Sequence, residues 1–213
     1  MEFSPTYGAS RRRESEPGFG ANAVDVPGLV PGRSCGACSL CCKVAQLGAL
    51  KKPAGAWCPH CAPGRGACTI HEDRPSECRD FFCAWLRSPE FGPEWRPLSC
   101  KMVLIRRPHQ ILLLVDPAHP TAWRQPPYYD ALKDWARAGV MAQPRQQVLV
   151  YNKDRITIVL PNKEIDLGVV EAGSRIMVRE TRCNRGTLSE LDWDAYIEKP
   201  VASRHRIPVP VEA

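Results

Sequence analysis

The chain has 213 residues, 44% hydrophobic and 24% charged, which suits one globular domain or two small ones and excludes a fibrous or wholly disordered protein. Its longest aliphatic runs, Met102 to Ile105 and Ile111 to Val115, fall far short of the roughly 18 residues a membrane helix needs. The formal net charge of +6 is dispersed, without the concentrated basic stretch of a nucleic-acid binder, so neither membrane nor nucleic acid is expected as a partner.

Residues 1–33 mix Gly, Pro and Ser with Arg11, Arg12 and Arg13 and show little apolar periodicity, which predicts a flexible arm. The arm lacks the apolar core of a secretory signal, and Glu14 and Glu16 argue against an organellar transit peptide. The expected location is the cytoplasm.

The region 34–100 is set apart by its thiols. Of the 11 cysteines, Cys35, Cys38, Cys41, Cys42, Cys58, Cys61, Cys68, Cys78 and Cys83 fall between residues 35 and 83, while Cys100 and Cys183 stand alone. Such density serves either a disulfide framework or thiolate ligation of metal. An odd total, the absent export signal and an aliphatic C-terminal part that needs no covalent staple favour reduced thiols and metal. The spacing agrees: CGACSLCC is a C-x2-C-x2-C-C array, followed by the C-x2-C pair of Cys58 and Cys61. Two intervening residues let both sulfurs reach one ion at about 2.3 Å while backbone amides face them. A ferredoxin run is a poor match, because Ala45 stands where its fourth cysteine would fall.

Ser34 is predicted to cap a short helix over 35–45, placing Cys35, Cys38 and Cys42 on one face with Cys41 beside them. A second helix is predicted after Asp73 as cap, with Pro75 in its first turn. Its apolar face would carry Cys78, Phe81, Phe82 and Trp85, with Cys83 pointing away. Arg74, Arg79 and Asp80 are candidates for hydrogen bonds around the thiolates, or for plain surface ion pairs. His60 and His71 lie within the cluster, but nine thiols already exceed a four-ligand site. One or two of the nine cysteines are expected to be inert buried residues. Cys100 and Cys183 are expected not to be ligands.

These residues resemble a bacterial family, the YkgJ-type cysteine-cluster proteins, named for a zinc- or iron-chelating CxxCxxCC domain. The resemblance rests on the array at 35–42, Trp57-Cys58-x2-Cys61, Gly66-x-Cys68-x-Ile70, and Arg74-Pro75-x2-Cys78-Arg79-x-Phe81 with Cys83. It covers residues 35–86. It implies metal ligation by the matching cysteines, with zinc, iron or an iron–sulfur cluster as cofactor. A flagellin lysine N-methylase that uses S-adenosylmethionine and an iron–sulfur centre is similar in its cysteine cluster. The alternative function is therefore a cluster-dependent enzyme modifying a protein side chain. The chain has neither a glycine-rich methyl-donor loop nor the radical C-x3-C-x2-C array.

Leu86 to Pro97 is a connector in which Trp95 is a candidate to cover the metal region. Over 101–199, KMVLIRR and ILLLVD read as buried strands, and residues 126–139 as a helix stopped by Gly139, with Leu132, Trp135 and Ala136 facing inward. QQVLVYN, RITIVLP, KEIDLGVV and SRIMVRE read as further strands, with turns at 152–154 and 161–163, completing an antiparallel meander. The pairs Asp116 with His119 and Asp130 with Asp134 read as turn or surface groups rather than acid–base catalysts. Residues 200–213 are expected to be a flexible tail. The expected fold class is α+β: a small helical cysteine-rich metal-binding module packed on an antiparallel β-sheet with one covering helix. The sheet is expected to be a scaffold or a protein-partner surface.

Overall fold

The computed structural model describes residues 28–35, 38–62, 67–185 and 188–199. The tail over 200–213 and most of the arm lie outside the described residues. In chain order the elements are α1 (Leu40–Val44), β1 (Cys61–Ala62), β2 (Ala67–Cys68), α2 (Ser76–Arg79), α3 (Ala84–Arg87) and α4 (Pro97–Cys100). There follow β3 (Met102–Arg107), β4 (Gln110–Val115), α5 (Tyr128–Met141), β5 (Gln147–Asn152), β6 (Arg155–Val159), β7 (Glu164–Val169), β8 (Arg175–Arg185) and β9 (Leu188–Glu198). The class is α+β.

β3 to β7 form one five-stranded sheet in chain order. Three of its pairings are antiparallel, but β4 and β5 run parallel, with Ile111 opposite Val148 and Leu113 opposite Val150. This corrects the expected meander. The chain from β4 to β5 runs through α5, and such a crossover returns the next strand in the same direction where a tight turn would reverse it.

The unbroken apolar strands follow from burial on both faces. Ile111, Leu113 and Val115 of β4, Met102 and Leu104 of β3, and Val148 and Val150 of β5 turn to the face covered by α5, which contributes Leu132 and Ala136. Their neighbours Leu112, Leu149, Ile156 and Ile158 turn to the other face, where Trp193 and Ala195 of β9 cover them. At the β3 side of that second face, Val103 packs with Leu40, Val44, Phe81 and Leu86 of the cysteine region. The period-2 alternation of β3 thereby divides α5 from the thiols.

Several local expectations are corrected. Gly139 does not stop α5 but lies inside it, two residues before Met141. An added Cβ there would run into the Gln146 carbonyl oxygen, and Gln146 N–H donates to the Gly139 carbonyl at 2.9 Å. The strand at SRIMVRE does not join the sheet. It begins β8, which pairs antiparallel with β9 in a separate two-stranded hairpin. Trp95 sits away from the thiols, packed against Phe91, Tyr128 and Trp135 with ring centroids 5.6, 5.0 and 5.2 Å away.

The helix expected over 35–45 is only the five residues of α1, with Ser39 rather than Ser34 at its N-cap. Cys35 and Cys38 precede it, so the four thiols do not share one helix face. The helix expected from Asp73 is two separate turns, α2 and α3. Pro75 stands at the N-cap of α2, and Cys83, far from pointing away, is buried at the N-cap of α3. Burying Phe81 and Cys83 together requires the chain to leave helical geometry between the two turns. The end of the arm is also tied down: Val30 N–H donates to the Leu86 carbonyl at 2.8 Å, and Arg33 donates to the Trp85 and Ser88 carbonyls.

Candidate metal centre

Each part of the thiol region is shaped by a short local device. The Cys38 N–H donates to the Cys35 carbonyl at 2.7 Å, and the Cys61 N–H to the Cys58 carbonyl at 3.0 Å. Both C-x2-C pairs are thus closed turns that bring their two side chains to one side. The Cys58 N–H donates to the Cys42 carbonyl at 2.9 Å, which stitches the second pair to the end of the first array. The β1–β2 ladder sets Cys61 opposite Cys68. Cys78 lies on α2, whose first turn closes from the Cys78 N–H to the Pro75 carbonyl at 2.8 Å. The Cys83 carbonyl accepts the Leu86 N–H at 3.0 Å to start α3.

The result is one cavity of about 140 Å³ whose wall contains Cys35, Cys38, Cys41, Cys42, Cys58, Cys61, Cys68, Cys78 and Cys83. All nine candidate ligands therefore meet, although 48 positions separate the first from the last. His60, His71, Arg74 and Trp85 line the same space. Every one of these cysteines is a free thiol. Cys100 is elsewhere, 3% exposed in the core beneath α5, with its thiol donating to the Met102 carbonyl at 3.2 Å. The Cys183 side chain lies outside the described atoms. Arg79 and Asp80 are exposed and do not reach the cavity wall.

The thiols differ in acidity for identifiable reasons. Burial pushes Cys35 and Cys78 up to about 11 and Cys61 and Cys83 up to about 12. Cys41 is raised first by donating its proton to Cys42 and then by its own burial. Cys42 goes the other way, to about 6. The Cys41 thiol bonding to its sulfur is the largest cause; a second bond from Cys61 and the charges of Lys52 and Arg74 add to it, against the opposing effect of burial. Cys42 is accordingly the sulfur already suited to act as a thiolate, the form that binds metal.

As the side chains stand, no three His, Cys, Asp or Glu groups among the described residues converge on a single ion position. The donor chemistry nevertheless suits a borderline or soft metal, since nine sulfurs are the ligands that zinc and iron–sulfur centres use. The volume corresponds to several water-sized groups, so both one ion and a polynuclear centre are accommodated. The indole N–H of Trp85, buried at the wall, has no hydrogen-bond partner among the described residues. A buried donor without an acceptor is costly, and a charged sulfur is an acceptor it lacks.

Sequence reasoning overlooked two residues of this site. One is Trp85 as the indole at the cavity, with the Arg33 and Arg96 guanidinium carbons 5.1 and 5.8 Å from its ring centroid. The other is Lys52, which is 4% exposed and faces the thiols electrostatically. A lysine after a helix carries no sequence signal for burial. No family model, curated protein or solved structure matches this chain. No helix among the described residues is long and apolar enough to cross a membrane.

Proposed function

We propose that this is a metal-binding protein whose cysteine cavity chelates zinc, iron or an iron–sulfur centre. The observation that carries the reading is the convergence of nine free thiols, from separate turns, strands and single-turn helices, on one cavity. A set of inert buried cysteines would be scattered through the core as Cys100 is. The resemblance to the YkgJ-type cluster supports the same conclusion through the C-x2-C-x2-C-C array and the elements around Cys58, Cys68, Cys78 and Cys83. Cys42, with Cys41 and Cys61 bonded to it, is the natural first ligand. A bound metal would supply folding energy if structural, and electron transfer if an iron–sulfur cluster. Free thiols that hold metal suit a reducing compartment, which supports a cytoplasmic location.

The test is elemental analysis with an ultraviolet–visible spectrum, on full-length protein expressed with iron and zinc supplied and purified without oxygen. Brown protein bleached by dithionite identifies an iron–sulfur centre. Colourless protein with stoichiometric zinc identifies a zinc site. Protein without stoichiometric metal of either kind overturns the reading.

A further inference from the structure

Lys52 is among the most buried charged residues described, at 4% exposure. Its ammonium donates to the carbonyls of Lys43 and Pro53, both at 3.0 Å, and to that of Ala45. Three carbonyl dipoles orient the ammonium but do not neutralise it. Among the described residues no carboxylate pairs with it; the opposite charges it would feel are those of Cys58, Cys42, Cys41 and Cys78. Arg74, only partly buried, stands at the cavity wall. Its Nε donates to the His71 carbonyl at 2.7 Å, no carboxylate bridges to it among the described residues, and its charge acts on Cys35, Cys42 and Cys78.

A buried cation without a counter-ion costs several kcal/mol, so folded proteins keep such charges paired. Neutral thiols do not pair with Lys52 and Arg74, whereas thiolates do. A divalent ion held by four thiolates leaves 2 − 4 = −2, the charge that two adjacent cations balance. Two thiolates and two neutral imidazoles on the same ion leave zero and strand the buried Lys52. His71 Nδ1 contacts Glu72 Oε1 at 3.0 Å and its Nε2 stays available, so it is the charge balance that argues against imidazole ligands.

We infer that Lys52 and Arg74 are the resident counter-charges of an all-thiolate, net-negative centre, and that His60 and His71 are not its ligands. The inference rests on the metal-binding reading above and adds the charge and ligand class of the centre. Lys52 is a positioning residue: its ammonium sits on the carbonyls of Lys43 and Ala45, at the end of the helix that carries Cys41 and Cys42, and on that of Pro53.

The experiment uses the full chain stripped of metal and reloaded with cobalt(II), then zinc affinity by chelator competition, for wild type, Lys52→Gln, Lys52→Arg, Arg74→Gln and the double variant His60→Ala/His71→Ala. Lys52→Gln removes the charge and keeps two N–H donors on a side chain one atom shorter, and Lys52→Arg, which keeps the charge, is its control. The expected results are a four-thiolate cobalt spectrum in wild type and in the histidine variant, and zinc affinity lowered about 10- to 100-fold in Lys52→Gln and restored in Lys52→Arg. Thermal unfolding of the metal-free proteins separates a purely structural role, which would lower the apo midpoint while leaving zinc affinity unchanged. A mixed sulfur–nitrogen cobalt spectrum, or Lys52→Gln binding zinc as wild type does, overturns the inference while the metal-binding reading stands. Should Lys52→Gln not fold, Arg74→Gln decides by the same criterion. Wild type that binds neither cobalt nor zinc and carries no iron–sulfur centre when purified without oxygen overturns both.

Discussion

Lys43 Nζ lies 2.5 Å from Asp116 Oδ1, joining the helix that carries Cys41 and Cys42 to the end of the inner strand β4. Asp116 also accepts the Ala118 N–H at 2.9 Å and is buried. Burial by itself would raise the Asp116 carboxyl, but the Lys43 hydrogen bond, the Ala118 amide and the Lys43 charge together bring it below its ordinary value. A carboxyl lowered in the folded state contributes stability above its unfolded pKa of about 3.9, and loses it as pH falls through the lower folded value. Asp116→Asn is therefore expected to cost about 2 kcal/mol at pH 7, between the values for exposed and buried pairs. The gap to wild type should narrow as pH falls below about 3.9 and vanish once pH is below the lowered folded value, in thermal unfolding across pH. A gap that stays constant down to the lowest pH would show that the pair contributes no charge-dependent stability.

Cys42 and Cys100 should separate ligand from core. Cys42→Ser is expected to lose most of the bound metal in elemental analysis. Cys100→Ala removes one thiol bonded to the Met102 carbonyl inside the core and is expected to cost about 1 kcal/mol of stability with metal content unchanged. Equal metal loss in both would mean that the thiol cavity responds to folding rather than to its own ligands.

Gly139→Ala tests the close approach of α5 to the chain entering β5. In an open helix the change would gain up to about 1 kcal/mol of helix propensity. Here the new Cβ meets the main-chain oxygen of Gln146, which no side-chain rotation relieves. Overpacking of this kind costs about 1–3 kcal/mol, so net destabilisation is expected in denaturant titration. A stabilised variant would show that the two segments part easily.

Leu113 is fully buried at the centre of β4, under α5. Leu113→Ala is expected to cost about 2–5 kcal/mol, read as a lowered midpoint at unchanged denaturant slope. A loss under about 1 kcal/mol would mean that the layer beneath α5 collapses into the space.

The α+β class was legible because the apolar runs at Met102–Ile105 and Ile111–Val115 are too short for anything but buried strands, and because α5 repeats apolar residues at Leu132, Ala136 and Val140. The parallel pairing of β4 with β5 was not legible, since pairing direction depends on where the crossover sends the chain and leaves no periodicity behind. β9 escaped notice because its buried Trp193 and Ala195 are interleaved with Asp192 and Asp194, and its partner is another strand rather than the main sheet. The helices around the thiols were read too long: alternating Cys, Pro and aromatic residues must each satisfy the cavity or the core, and single turns divide those demands where one continuous helix face does not.

For the candidate site, sequence alone determined the local turns of the thiol region, because C-x2-C spacing is a local property that closes its own turn, as the Cys38–Cys35 and Cys61–Cys58 hydrogen bonds display. Tertiary structure alone decided that the two C-x2-C turns, the β1–β2 pair and the two turns carrying Cys78 and Cys83 surround one space, with Arg74 at its wall and Lys52 buried without a carboxylate partner among the described residues. The reason is physical: a turn is specified by adjacent residues, whereas the balance of buried charge is set by groups that meet only after the chain has packed against its sheet.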